Sequence, residues 1–506
     1  MANTAIKIPR AHLIMALCLP LAVLLGYFLA EPMESGSMAV IVFVMFVLAV
    51  PVLMKWHHPI LVLSWNACVA PVVLPGQPQL WILAAAASVL FAVLNRAVAP
   101  DLRFIYIPSL VNPLLYLTAM VVLTACLTGG IGLRSFGSSQ YGGRNYVYLF
   151  MAVAGYFAFT SQRIAPEKAG LYVAMFFLPG LTGLIPNIVY ALGPAFYPLF
   201  YFFPVGNAID QARSDYALNP GIFRLNGLPL AGTALFYWIM ARYGIKGALD
   251  VSRPWRILCL VSALFCFAAS GFRGIMIGFA VTFCVLFFLE GLHRTRFLPF
   301  LLGFMLFGGA ILLPNTDKLP WVIQRTISFL PVKIDPFVKQ SADSSTEWRL
   351  DIWKQVLPQV PKYLFMGKGY HLDPNELYME TTQSSGAITA DAISITGDYH
   401  SGPLSLIIPL GIWGVIGFVW FLVAAGRYLY RNYHNGDPQL QRINTFLWGL
   451  FIVKLVIFVA IFGSFYSDFY TFTGLLGISV SLNGRPEPVA ETETAEPEQP
   501  MLEAFS

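Results

Sequence analysis

Residues 401–426 read SGPLSLIIPLGIWGVIGFVWFLVAAG, and the first charge after them is Arg427. Between 402 and 424 no side chain is ionisable. A run of that length suits a helix crossing a hydrocarbon core about 30 Å thick, because each helical residue advances the chain by about 1.5 Å. The apolar residues are continuous rather than alternating, which excludes the strand pattern of a transmembrane β-barrel.

Working outward from this stretch, the same pattern recurs along the chain. Fourteen candidate spans can be read, at 11–30, 38–54, 60–75, 79–95, 108–127, 145–160, 168–190, 227–241, 255–270, 274–290, 297–313, 402–424, 443–462 and 466–481. Of the 506 residues, 57% are hydrophobic and only 11% are charged, with a mean hydropathy of +0.67. A soluble domain of this size needs far more charge to cover its surface. The expected fold class is all-α, a polytopic transmembrane helical bundle of about 12–14 spans. Residues 1–190 form its first set of helices, 191–482 a second region with a large helix-containing loop at about 314–401, and 483–506 a disordered Glu/Pro/Thr-rich tail. Lys7 and Arg10 precede the first apolar run, which is longer than a signal-peptide core and is expected to be retained as a span.

The formal charge of +5 reads as loop bias, and no basic cluster interleaved with aromatics suggests nucleic acid. The six cysteines all fall in apolar runs without CxxC spacing, so neither a disulfide framework nor a zinc site is expected. With the N-terminus inside, the short cytoplasmic loops collect Lys55, Arg96, Arg103, Arg163, Lys168, Arg242, Lys246, Arg253, Arg256, Arg294, Arg296, Arg427, Arg431 and Arg442. That satisfies the positive-inside rule almost throughout, Arg134 and Arg144 being the exception. The loops around 191–226 and 314–401 then face outward. Within the second, Ser344–Val360 has the spacing of an amphipathic helix, carrying Trp348, Leu350, Ile352, Trp353 and Val356.

Four positions on the outward side carry candidate chemistry: Arg224 in FRLNG, Arg273 in SGFRG, Arg349 in EWRLDIW and His400 in GDYHSGPL. A guanidinium keeps its charge and presents a planar fork of donors that matches phosphate oxygens. An imidazole takes a proton from a hydroxyl near neutral pH, and adjacent arginines hold it neutral. Arginines at a helix rim also act as interfacial anchors, and a histidine at a helix start as a cap. Asp391 and Asp398 are candidates to orient His400, and Glu376 and Glu380 to bind sugar hydroxyls. No phosphate loop, GxGxxG, HExxH or DxD is present, which fits a donor already activated as a diphosphate.

At these residues the sequence resembles the O-antigen ligase and O-antigen polymerase superfamily, helical membrane-embedded glycosyltransferases of the C type. The resemblance covers about 200–425. It rests on Arg224 and Gly227, on Ser270, Arg273 and Gly274, and on Arg349 with Trp353. It continues through Gly367 and Gly369, His400 and Ser401, and the Gly411, Gly414, Gly417 series. Ser401 departs from a common Asn, and Phe272 from a common Ser.

The resemblance implies a multi-pass protein of the bacterial inner membrane working at its periplasmic face. Its donor would be a polyprenyl-diphosphate-linked glycan, and its acceptor a lipid-linked glycan or lipid A-core. Arg224 and Arg349 would hold the diphosphate and His400 would activate the acceptor hydroxyl, with Arg273 serving the diphosphate or the structure. Trp353, Glu376 and Asp398 are candidates for sugar contact or orientation. Neither a metal nor a cofactor is implied; membrane lipids, a flippase and a chain-length regulator are expected neighbours. A transporter or flippase of lipid-linked sugars is the alternative, favoured chiefly by Lys454 within a span; the competing reading of Lys454 is that it pairs with Asp468 or faces a cavity. A third reading takes Glu31 and Glu34 as metal ligands.

Overall fold

The computed structural model describes residues 10–28, 35–72, 74, 76–98, 104–132, 142–215, 225–372, 397 and 399–485. Among these residues the regular structure is helical and no strand occurs. Seven helical stretches are long and apolar enough to cross a membrane: Val47–Ser64, Leu80–Val98, Pro108–Leu127, Pro166–Leu192, Phe297–Lys318, Gly402–Asn435 and Pro438–Ile461. Pro254–Ala268 and Arg273–Leu289 are shorter and equally apolar. The chain is an all-α, multi-pass membrane protein, as its apolar runs require: without water, only a helix satisfies its own backbone within one segment.

The first region contains α1 (Arg10–Phe28), α2 (Ser35–Ser64), α3 (Leu80–Val98), α4 (Pro108–Leu127), α5 (Gly143–Phe159), α6 (Ala169–Phe177) and α7 (Ile185–Leu192). The spans read at 38–54 and 60–75 differ here. A single α2 runs to Ser64 with Pro51 and Pro59 inside it, and residues 65–72 beyond it are not helical. The reason is a set of backbone partners elsewhere. Ala70 N donates to Phe202 O at 2.8 Å, Val72 N to Tyr201 O at 2.9 Å, and Cys68 N to Thr182 Oγ1 at 2.9 Å.

Next come α8 (Gly206–Asp215), α9 (Gly227–Ala248), α10 (Pro254–Ala268), α11 (Arg273–Leu289) and α12 (Phe297–Leu312). Three helices follow, α13 (Trp321–Thr326), α14 (Pro336–Val356) and α15 (Val360–Tyr363), in the segment read as the large outward loop. The chain then forms α16 (Gly402–Asn435), α17 (Gln441–Val456) continued by a π-turn over Ile457–Ile461, and α18 (Phe465–Asn483).

Small residues let these helices approach closely. The Trp65 indole lies against Gly155 of α5 and Gly474 of α18, where any Cβ would overlap it. Gly477 is held against Phe159 in the same way, an added Cβ lying 2.8 Å from the phenylalanine Cβ. Around them Trp81, Tyr146, Tyr156 and Phe236 are fully buried.

α16 is not one helix. Gly411 has φ +65° and ψ −168°, and the backbone breaks there. The amide of Ile412, which in an unbroken helix would bond Ile408 O, donates instead to Leu364 O at 2.7 Å. Ile408 O accepts from Lys368 N at 2.7 Å, and Pro409 O from Gly369 N at 2.9 Å. The Gly367–Gly369 segment thus fills the hydrogen-bonding gap that the broken helix opens. Irregular backbone survives inside a membrane protein only with such replacement partners.

Candidate functional site

α14 begins at Pro336, whose missing N–H is no loss at a helix start, and Asp335 caps it by accepting from Phe337 N at 2.8 Å. Its apolar face is buried: Val338, Ala342, Ile352 and Val356 are 0% exposed. Ile352 and Val356 join Tyr399, Leu404 and Ile408, with Trp348 and Trp353 packed against them. Each aliphatic side chain so buried contributes roughly 1.5–3 kcal/mol relative to exposure in water. Leu350, read as part of that stripe, faces out instead at 45% exposure. This packing seats α14, which carries Arg349, on the beginning of α16, which His400 precedes.

His400 has φ +49°, in the left-handed region that side chains with a Cβ rarely occupy. Its neighbour Tyr399 is 1% exposed, and the Tyr399 carbonyl accepts from Trp353 Nε1 at 3.1 Å. The imidazole lies between two aromatic rings, with Trp348 at 5.1 Å and an interplanar angle of 50°, and Phe462 at 5.2 Å and 27°. The Arg349 guanidinium lies 5.7 Å from the centre of the same Phe462 ring. A cation and a base therefore meet at one aromatic side chain.

Arg273 opens α11 after a tight turn. Ser270 Oγ donates to Phe267 O at 2.7 Å and accepts from Phe272 N at 3.2 Å, and Gly271 takes φ +75°. From that turn Arg273 Nη2 reaches α14, donating to Ala342 O at 2.6 Å and to Thr346 Oγ1 at 3.2 Å. Ala342 and Arg349 are seven residues apart, close to two full turns, so they share a side of α14 about 10 Å apart. Arg273 ties α11 to the helix that carries Arg349.

The sequence reading missed Arg325. It is 3% exposed on α13 and donates from Nη1 to Gly271 O at 2.7 Å, while Thr326 Oγ1 bonds Ala268 O at 3.1 Å. α13 thereby locks the turn that aims Arg273. Its only signal was an arginine in WVIQRTISF, with no motif around it. Phe462, in an apolar run, gave no signal at all.

The structure thus brings together His400, Arg349 and Trp353, and ties Arg273 to them through α14. Arg224, Glu376, Glu380, Asp391 and Asp398 lie outside the described residues, as do Glu31 and Glu34. The start of α9 is described: Gly227 N donates to Asn187 Oδ1 at 2.9 Å. Gly232, five residues on, packs against Cys266 and Phe267 near the end of α10. α9 therefore begins at the same end of the bundle as the Gly271 turn. Asp468, considered as a partner for Lys454, accepts from Ser464 N at 2.9 Å.

Compared with known proteins, the chain has no match among curated sequences. Residues 258–419 match the family model described as O-antigen ligase. The matched segment contains Arg273, Arg325, Arg349, Trp353 and His400, together with Gly367 and Gly411 of the broken helix; Phe462 lies beyond it. This match and the helical membrane fold together support the resemblance of the region carrying the site to the O-antigen ligase and polymerase superfamily.

Proposed function

We propose that this protein transfers or polymerises glycan at the periplasmic face of the bacterial inner membrane. The glycan moves from a polyprenyl-diphosphate-linked donor to a sugar hydroxyl during surface-polysaccharide assembly. The observation that carries the proposal is the meeting of His400 and Arg349 at one ring, on an α14 that Arg273 holds in place.

In this reading His400 accepts the proton of the acceptor hydroxyl, and that oxygen attacks the anomeric carbon. The bond from the anomeric carbon to the diphosphate oxygen breaks, and polyprenyl diphosphate leaves. Inversion at the anomeric carbon follows from a single displacement. Arg349 and Arg224 bind the charge that develops on the leaving oxygens, where donors fixed in advance lower the barrier most. Arg273 acts chiefly through α14, since its Nη2 is directed at the Ala342 carbonyl and the Thr346 hydroxyl. Trp353 acts on the backbone before His400.

The test is surface polysaccharide in a deletion strain complemented with wild type, His400→Ala, Arg349→Ala or Arg224→Ala, with each protein's membrane level measured. Polymer is expected to disappear at normal protein levels for all three. The length of the lipid-linked glycan left behind separates a polymerase, which leaves single units, from a ligase, which leaves long chains. Full polymer from His400→Ala and Arg349→Ala would overturn the mechanism.

A further inference from the structure

The chain connecting α17 and α18 is built as firmly as the site it borders. The π-turn ends with Phe462 N donating to Ile457 O at 2.9 Å, and Phe462 itself is extended, with φ −169° and ψ 136°. Gly463 then passes so close to α16 that an added Cβ would lie 3.1 Å from Gly402 Cα and 2.9 Å from the Phe458 ring. Ser464 N is capped by Asp468, and Phe465 N donates to Ser405 Oγ at 2.8 Å. Gly402 closes the contact from the other side, because a Cβ there would run into the Phe458 carbonyl. Phe462 therefore projects from a backbone fastened to the same helix start that carries His400.

Its ring meets both functional groups, the imidazole stacked at 27° and the guanidinium 5.7 Å from its centre. Neither contact needs Phe462 to react. We propose that Phe462 is a positioning residue that fixes the His400 base relative to the Arg349 cation. The inference rests on the roles given to those two residues above. A ring is required rather than mere bulk, because a planar face is what stacks on imidazole and attracts a guanidinium. The reacting groups must be held to within about 1 Å, since a misplacement of that size lowers the rate on the order of a hundredfold.

The experiment compares wild type with Phe462→Leu, Phe462→Tyr and His400→Ala, each purified in nanodiscs. Lipid-linked glycan extracted from membranes of the deletion strain serves as donor, and kcat and KM for that donor are measured. Leucine keeps apolar volume without a ring and is expected to lower kcat about tenfold or more, with KM within about twofold of wild type. Tyrosine restores the ring and is expected to recover most of kcat. Wild-type kcat in Phe462→Leu, equal losses with leucine and tyrosine, or a change confined to KM would each overturn the positioning role. An active His400→Ala protein would instead refute the assignment of the base, so the two failures are distinguishable.

Discussion

Replacing Gly367 by alanine tests how the site is supported from below. Gly367 has φ +69°, where a residue with a Cβ costs roughly 1–2 kcal/mol. The added Cβ would overlap the Pro409 carbonyl oxygen and lie 2.8 Å from its carbon and 3.0 Å from Gly411 N. These are backbone atoms on both sides, so no side chain can swing away. Relief requires the 367–369 segment to retreat from α16, which stretches the bonds from Lys368 N to Ile408 O and from Gly369 N to Pro409 O, now 2.7 and 2.9 Å. Losing them leaves two carbonyls without partners at the break, at about 1–3 kcal/mol each.

The sum is roughly 3–8 kcal/mol. In a chain this long that lowers the melting midpoint by on the order of 5 °C. Gly303→Ala is the control, because Gly303 lies within α12 with nothing within 4 Å of an added Cβ. Thermal denaturation of the purified proteins in one detergent, followed by fluorescence-detected size exclusion, gives both midpoints. A Gly367→Ala midpoint equal to that of wild type would refute the reasoning, since the glycine would then not lie in the gap of a broken helix.

Two further predictions concern groups outside the proposed reaction. Arg325→Ala should leave the Gly271 carbonyl without its donor and lower the yield of folded protein severalfold, with a loss of about 1–3 kcal/mol; yield and melting midpoint equal to wild type would show that α13 does not lock the turn. Glu290 follows α11 and accepts Ile245 N with both carboxylate oxygens, at 2.8 and 3.0 Å, beside the Gly244 break in α9. Burial raises its pKa, partly offset by the Ile245 and Lys246 amides and by Arg442. A raised folded-state value means that the stability this group contributes is present in acid and is lost as pH rises through that value. Midpoints measured at pH 5 and pH 8 should therefore show wild type gaining on Glu290→Gln at the lower pH. A difference that is constant with pH, or reversed, would count against this burial.

The fold class was legible because a membrane helix is written in continuous apolar composition, as at 108–127. The same rule fails at 60–75. There the count of apolar residues sees Ala70 and Val72, but not the carbonyls of Phe202 and Tyr201 that take their amides. In the site, the candidate residue types and their order could be read from SGFRG, EWRLDIW and GDYHSGPL. Their mutual placement was not. That His400 and Arg349 meet at Phe462 depends on a connection that composition reads as the end of one span and the start of the next.

The glycines show the limit most clearly. Gly367, Gly369 and Gly411 are visible in the sequence as family marks, but their reason is reciprocal and spans more than forty residues. Gly411 breaks α16 and releases the Ile408 and Pro409 carbonyls; Gly367 and Gly369 let a second backbone approach closely enough to take them. The break also isolates the first turns of α16, from Gly402 to Leu410, as a short helix of its own. Phe458 and Gly463 bound that helix at the His400 end, and the Gly367–Gly369 segment bounds it at the other. His400 thus lies two residues before a segment clamped at both ends, a setting that can hold a histidine at positive φ against relaxation.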